Sequence, residues 1–128
     1  MAMKKRKPPV RQSAKDRERY GTMDRKWKRK WINALRGGEY RQARGELRDH
    51  VGYCCLGVLC DISGAGEWTG TNGGRFIDFN GYDHSAVTPP GVKSLTGLTV
   101  LAEQELVELN DHKRYGFRRI ATWIEKHL

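Results

Sequence analysis

Cys54 and Cys55 are the residues of this 128-residue chain that could do the most demanding chemistry. They fall where an apolar run enters a helix, and a thiol at a helix N-terminus can have a lowered pKa and act as a nucleophile. His50, His84 and His112 are available as bases. No local signature of a cysteine enzyme accompanies them, so no catalytic residue is expected. Cys54-Cys55-x4-Cys60 also lacks the paired spacing of a structural zinc site. The glycines between 64 and 98 form neither Gly-x4-Gly-Lys-Ser/Thr nor Gly-x-Gly-x-x-Gly after a strand. No cofactor and no metal is expected.

Anion binding has more support. The formal charge is +9, and it is unevenly placed: residues 1–30 hold thirteen Lys or Arg and three acids, whereas residues 31–128 hold eleven and twelve. Lys4, Lys5, Arg6, Lys7 and Arg11 form a clustered leader, and Lys28, Arg29 and Lys30 continue it. Clustered cations attract phosphate through counterion release, so these residues are candidates for contact with nucleic acid. A second candidate set is Tyr40, Arg41, Gln42 and Arg44, an aromatic face, a planar amide and two guanidinium forks that could hold an anionic or nucleotide-like ligand. A solvated turn is the competing reading there, with Tyr40 packed on the preceding helix.

The elements that must position these groups follow from periodicity. Residues 1–22 have almost no apolar side chains and are expected to be a disordered basic arm. Residues 23–128 are long enough for one core and make a single domain. Thr22 or Asp24 can cap a helix running to Arg36, with Trp27, Trp31 and Leu35 at i, i+4 and i+8 and Gly37-Gly38 at its end. The tryptophans could stack on bases, but at this spacing a core-facing stripe is the stronger reading. Leu47-Arg48 and Tyr53-Cys54 flank a turn at Asp49–Gly52. A buried central helix follows, with Cys55, Val58, Leu59 and Ile62 at i, i+3, i+4 and i+7 and Gly64 as its C-cap. Arg75–Phe79 reads as a strand, with Trp68 packing back on the core, and Pro89-Pro90-Gly91 leads into a helical turn ending at Leu95. Leu98, Leu101, Ala102, Leu106 and Leu109 mark one helix, and Phe117, Ile120, Ala121, Ile124 and Leu128 another.

These two could be a helix-turn-helix with Arg118 and Arg119 near the start of its second helix. Glu103, Glu105, Glu108 and Glu125 would repel phosphate, which favours a helix pair that closes the core. The expected fold is α+β: a small antiparallel sheet packed with an N-terminal amphipathic helix, a buried central helix and a C-terminal helix pair.

Four pieces, Lys30–Gln42, Tyr53–Asp61 (Tyr-Cys-Cys-Leu-Gly-Val-Leu-Cys-Asp), Leu109–Asp111 and Gly116–Glu125, together resemble a group of small proteins of tailed bacteriophages and prophages. The resemblance covers residues 27–128 in patches and carries no catalytic residues. It implies a life in the cytoplasm of an infected bacterium and an accessory role, in counter-defence or host takeover. The absence of a long apolar stretch and of an apolar signal core is consistent with that, as are three cysteines in an arrangement poor for disulfides. The expected function is non-enzymatic binding of nucleic acid or another phosphate-bearing ligand, with no membrane partner. The alternative is a protein-binding inhibitor of a host enzyme or defence component.

Overall fold

The computed structural model describes residues 10–70 and 73–128. Six α-helices surround one core, with a small antiparallel sheet at one side: α1 Ala14–Tyr20, α2 Arg25–Arg36, α3 Cys55–Ser63, β1 Gly66–Thr69, β2 Arg75–Asp78, β3 Asp83–His84, α4 Pro90–Thr96, α5 Val100–Val107 and α6 Phe117–His127. A π-helical turn, Glu108–His112, extends α5. The sheet order is β1-β2-β3, with Trp68 opposite Phe76 and Phe76 opposite His84. The architecture is the α+β class that the periodicities imply.

Helix α3 is the centre. Cys55, Leu56, Val58, Leu59 and Cys60 are buried all round it, which a helix tolerates only inside a core. Ile62, at the far end of the expected stripe, is only half-buried. Gly64 ends the helix at φ 66°, the left-handed conformation that glycine adopts without a steric penalty. Gly57 is required for a different reason: a Cβ there would overlap the carbonyl oxygen of Leu47. That close approach lets Cys54 N donate to Leu47 O (3.0 Å), so residues 47–54 close as a single antiparallel bridge between Arg48 and Tyr53 rather than as a full hairpin ladder. Asp49 Oδ1 fastens its turn by accepting from Val51 N (2.7 Å) and Gly52 N (3.0 Å).

Helix α2 is capped by Asp24, whose carboxylate accepts from Trp27 N (3.1 Å). Trp31, Ile32 and Leu35 enter the core, and the Trp31 indole N–H donates to Cys55 O (2.9 Å), tying α2 to the start of α3. Trp27 does not follow them. It is half-buried and lies outside the core cluster of the described residues, so the stripe expected at i, i+4 and i+8 is displaced toward Ile32.

The expectation of disorder through residue 22 needs correction. Ser13 caps α1 by accepting from Asp16 N (3.1 Å), and Tyr20 is buried with its ring edge-on to Trp123 at 5.3 Å between centroids. Gln12 Nε2 donates to Gly21 O (2.6 Å) and His127 O (2.8 Å), and Asp16 pairs with His127 Nδ1 (2.8 Å). Trp123 and His127 lie over a hundred residues from the groups they meet, so composition could not register them. Residues 1–9 lie outside the described residues.

The C-terminal helices also sit differently from a simple pair. Helix α6 packs chiefly along α2, while α5 lies against α1 and α3. Leu101, expected in the apolar stripe of α5, is 54 % exposed; Glu103, counted among the acids that would repel phosphate, is 4 % exposed. The buried carboxylate is satisfied by Lys93 Nζ at 3.0 Å and by Thr88 N at 2.8 Å.

Candidate anion-binding groove

The cations of α2 and of the chain entering α1 converge on one channel. On one side, Arg25, Lys28, Arg29, Ile32, Asn33 and Arg36 of α2 line a concavity of 510 Å³ with Val10 and Glu125. It continues into a second concavity of 420 Å³ lined by Val10, Arg11, Gln12, Arg17, Arg25 and Lys28. The two share Val10, Arg25 and Lys28, so they form one groove running between the 10–12 segment and α2. Among the described residues, six basic side chains (Arg11, Arg17, Arg25, Lys28, Arg29, Arg36) line it against one acidic side chain, Glu125, which Arg36 engages at 3.2 Å. Gln12 holds the wall in place through the hydrogen bonds already described and by accepting from Thr22 Oγ1 (2.7 Å).

Burial pulls the Lys28 ammonium below its ordinary pKa, with Glu125 working against that shift and Arg25 adding to it. A charge held this way gains from any anion placed beside it, because the anion supplies what lost water does not. The groove therefore favours a phosphate or carboxylate on both geometric and electrostatic grounds.

Of the residues expected to contact nucleic acid, Arg11, Lys28 and Arg29 meet here. Lys30 does not; its ammonium lies 4.7 Å from the centre of the Trp27 ring. Lys4, Lys5, Arg6 and Lys7 lie outside the described residues. Arg17, Arg25 and Arg36 complete the groove although they are not among the residues expected to contact nucleic acid. For Arg25, Arg29 and Arg36 the signal was present, since i, i+4 and i+11 is one stripe of a helix. For Arg17 none was, because its placement depends on the docking of α1.

The second expected site has a different occupation. The Tyr40 hydroxyl donates to Asp61, which also accepts from the Trp68 indole N–H (2.9 Å). Gln42 Nε2 donates to Asn110 Oδ1 (2.9 Å) and Tyr115 O (2.8 Å). Arg44 Nε donates to Asn110 O (3.0 Å), and Arg41 is exposed, contributing its backbone carbonyl to Tyr53 N (2.8 Å). The segment is thus neither a ligand cradle nor a solvated turn. Gln42 and Arg44 face inward on Asn110, 1 % exposed, whose Nδ2 donates to Ala43 O (3.1 Å) and Asp111 Oδ1 (2.7 Å) and whose Oδ1 also accepts from Cys55 N (3.3 Å). Tyr40 packs edge-on to Tyr53 at 5.0 Å and lies against the core.

The cysteines are free and buried. Cys54 is the N-cap of α3, accepting from Gly57 N (3.4 Å), yet desolvation outweighs those backbone donors and pushes its thiol up to about 12. Burial likewise raises Cys55 and Cys60 well above the usual thiol range. The lowered pKa that a helix N-terminus can produce is not realised here. Among the described residues no group of three His, Cys, Asp or Glu is placed to hold a metal, and no helix is long and apolar enough to cross a membrane.

Arg118 and Arg119 do not form a recognition surface of the helix-turn-helix kind, since α5 and α6 pack on different partners; the Arg119 guanidinium lies 3.7 Å from the centre of the Tyr115 ring.

A family-wide sequence profile matches residues 23–99, more than half of the chain: the protein belongs to the family described as a domain of unknown function, DUF8296. The match includes α2, and with it one wall of the groove, while the 10–12 segment, α1 and α6 lie outside it. No curated protein and no solved structure matches the chain.

Proposed function

We propose that this protein is a non-enzymatic binder of a phosphate-bearing partner, nucleic acid foremost, and that the groove between residues 10–12 and α2 is where the phosphates lie. One observation carries this: among the described residues, six basic side chains line adjoining concavities with one acidic side chain among them. Opposite charges that stabilise a fold are normally interleaved, and an unbalanced cationic channel is costly unless an anion occupies it. The resemblance to small phage proteins adds a setting, the cytoplasm of an infected bacterium, and an accessory role in counter-defence or host takeover.

The test is binding of labelled RNA, DNA and inorganic polyphosphate across a salt series, with the wild type and the double variant Lys28→Glu, Arg29→Glu. Affinity should fall linearly in log–log form with salt, and the variant should lose about two phosphate contacts from the slope. Salt-independent binding, or a variant that binds as the wild type does, would exclude the groove. Removing residues 1–22 is not a clean alternative, because Tyr20 is part of the core.

Protein-directed inhibition is the second reading, and a specific feature favours it. Phe79 and Tyr82 are 75 % and 55 % exposed on a turn that Asp78 holds rigid, its Oδ1 accepting from Asn80 N (3.0 Å) and Tyr82 N (3.0 Å). A bacterial partner captured after nuclease treatment, and lost in Phe79→Ser, would support that reading over the first.

A further inference from the structure

Trp27 is the anomaly of α2. An indole gains more from burial than almost any other side chain, and Trp31, one turn later, is fully buried with its N–H bonded. Trp27 instead stays half-buried outside the core cluster of the described residues, with Lys30 Nζ 4.7 Å and Lys26 Nζ 5.8 Å from its ring centre. At about 100° per residue, Arg25, Arg36 and Arg29 stand on the groove edge of the exposed arc of α2, and Lys30 and Trp27 stand on the other. Asn33 and Lys26 lie between. The whole arc carries no acid, and a helix is only about 10–12 Å across, so one chain of phosphates can cross from the groove to the indole.

Resting on the anion-binding reading above, we infer that Trp27 is a stacking platform for a base of single-stranded nucleic acid, with the flanking phosphates neutralised by Lys26, Lys30 and the groove. A single strand is specified because its base faces are free. In a duplex each face is already stacked, and an indole on the side of a helix reaches none without unstacking the pair. The two lysines over the ring occupy the place a base would take, and each has a phosphate to turn to once the base arrives.

The experiment compares the wild type, Trp27→Ala and Trp27→Phe on four probes at low salt: an oligothymidylate, an oligouridylate, a duplex of equal length and inorganic polyphosphate. Trp27→Ala should weaken both single strands by about 5- to 100-fold, Trp27→Phe should retain most of the affinity, and duplex and polyphosphate should be unaffected. The two single strands distinguish DNA from RNA. Unchanged polyphosphate binding also reports an intact fold. Single-strand affinity that survives Trp27→Ala would overturn the platform while leaving the groove standing, and so would an equal loss on polyphosphate. A Trp27→Ala variant that loses only a nuclease-resistant protein partner would assign the indole to protein contact and overturn it too. A wild type that binds none of the four would remove both the groove and the platform.

Discussion

Residues 40–44 and the cationic side of α2 are alike in composition and opposite in placement. Each offers guanidinium or ammonium groups beside an aromatic ring. In the first, Gln42 and Arg44 turn inward and satisfy carbonyls around Asn110. In the second, Arg25, Lys28 and Arg29 turn outward into a groove with a single acidic side chain. Residue type therefore does not distinguish a structural donor from a ligand-binding one; the availability of an internal acceptor does. The Asn110 side chain joins Gln42, Ala43, the start of α3 and Asp111 of the π-helical turn, and the Asn110 backbone carbonyl takes Arg44, so this one polar node consumes the donors that a ligand would need.

The comparison can be broken most forcefully at Asn110. Asn110→Ala removes two donated and two accepted hydrogen bonds in a buried site and leaves the amide of Gln42 short of a partner. It should cost about 3 kcal/mol in urea denaturation. Polyphosphate affinity of the folded fraction should not change. If Asn110→Ala abolished anion binding with little loss of stability, the 40–44 segment would be the binding site and α2 the scaffold. Gln42→Ala should follow the same pattern with a smaller loss, about 1–2 kcal/mol, because Asn110 keeps its other partners.

What was readable in the sequence divides along the same line. Helices α2 and α3 carry their own periodicity and caps, so Asp24, Gly37 and Gly64 mark their ends without reference to the rest of the chain, and α6 carries its periodicity alone. The groove was half legible: Lys28 and Arg29 announce a cationic face, but Arg11 and Arg17 join it only because Gln12 and Asp16 reach His127. No local pattern encodes a bond of that span. Glu103 misled for the complementary reason, since its partner Lys93 sits on another helix. The sequence pieces ending at Gln42, beginning at Tyr53 and centred on Asn110 meet at the polar node, so they identify a fold more directly than an activity.

Asp78 supplies a smaller test, on a carboxylate that is fully engaged inside the molecule. Burial acts to raise its pKa, but the N–H groups of Tyr82, Gly91 and Asn80 outweigh it and hold the carboxyl below its ordinary value. A folded pKa below the unfolded one means that the unfolded chain binds more protons. The stabilisation is therefore present above about pH 4 and is lost as pH falls through the folded pKa. Asp78→Asn should cost about 1–2 kcal/mol at neutral pH and flatten the acid limb of the stability curve. An acid limb unchanged in the variant would show that the turn is not held by this charge.

Lys28 should give the smallest change in stability and the sharpest contrast. Its lowered pKa is the mirror case: the protonated form is disfavoured by folding, so below the folded pKa the charge costs stability, and that cost fades as pH rises through it. Lys28→Met keeps the stem that packs near Ile32 and deletes the charge. Stability at neutral pH should rise slightly, within about 0.5 kcal/mol, while polyphosphate affinity falls. Few substitutions separate the two properties by sign, and on the proposed binding role this one should, because a desolvated cation in an open groove costs the fold and would serve a ligand. A Lys28→Met protein that is both less stable and equally good at binding anions would place Lys28 with Arg44, among the donors that serve the interior.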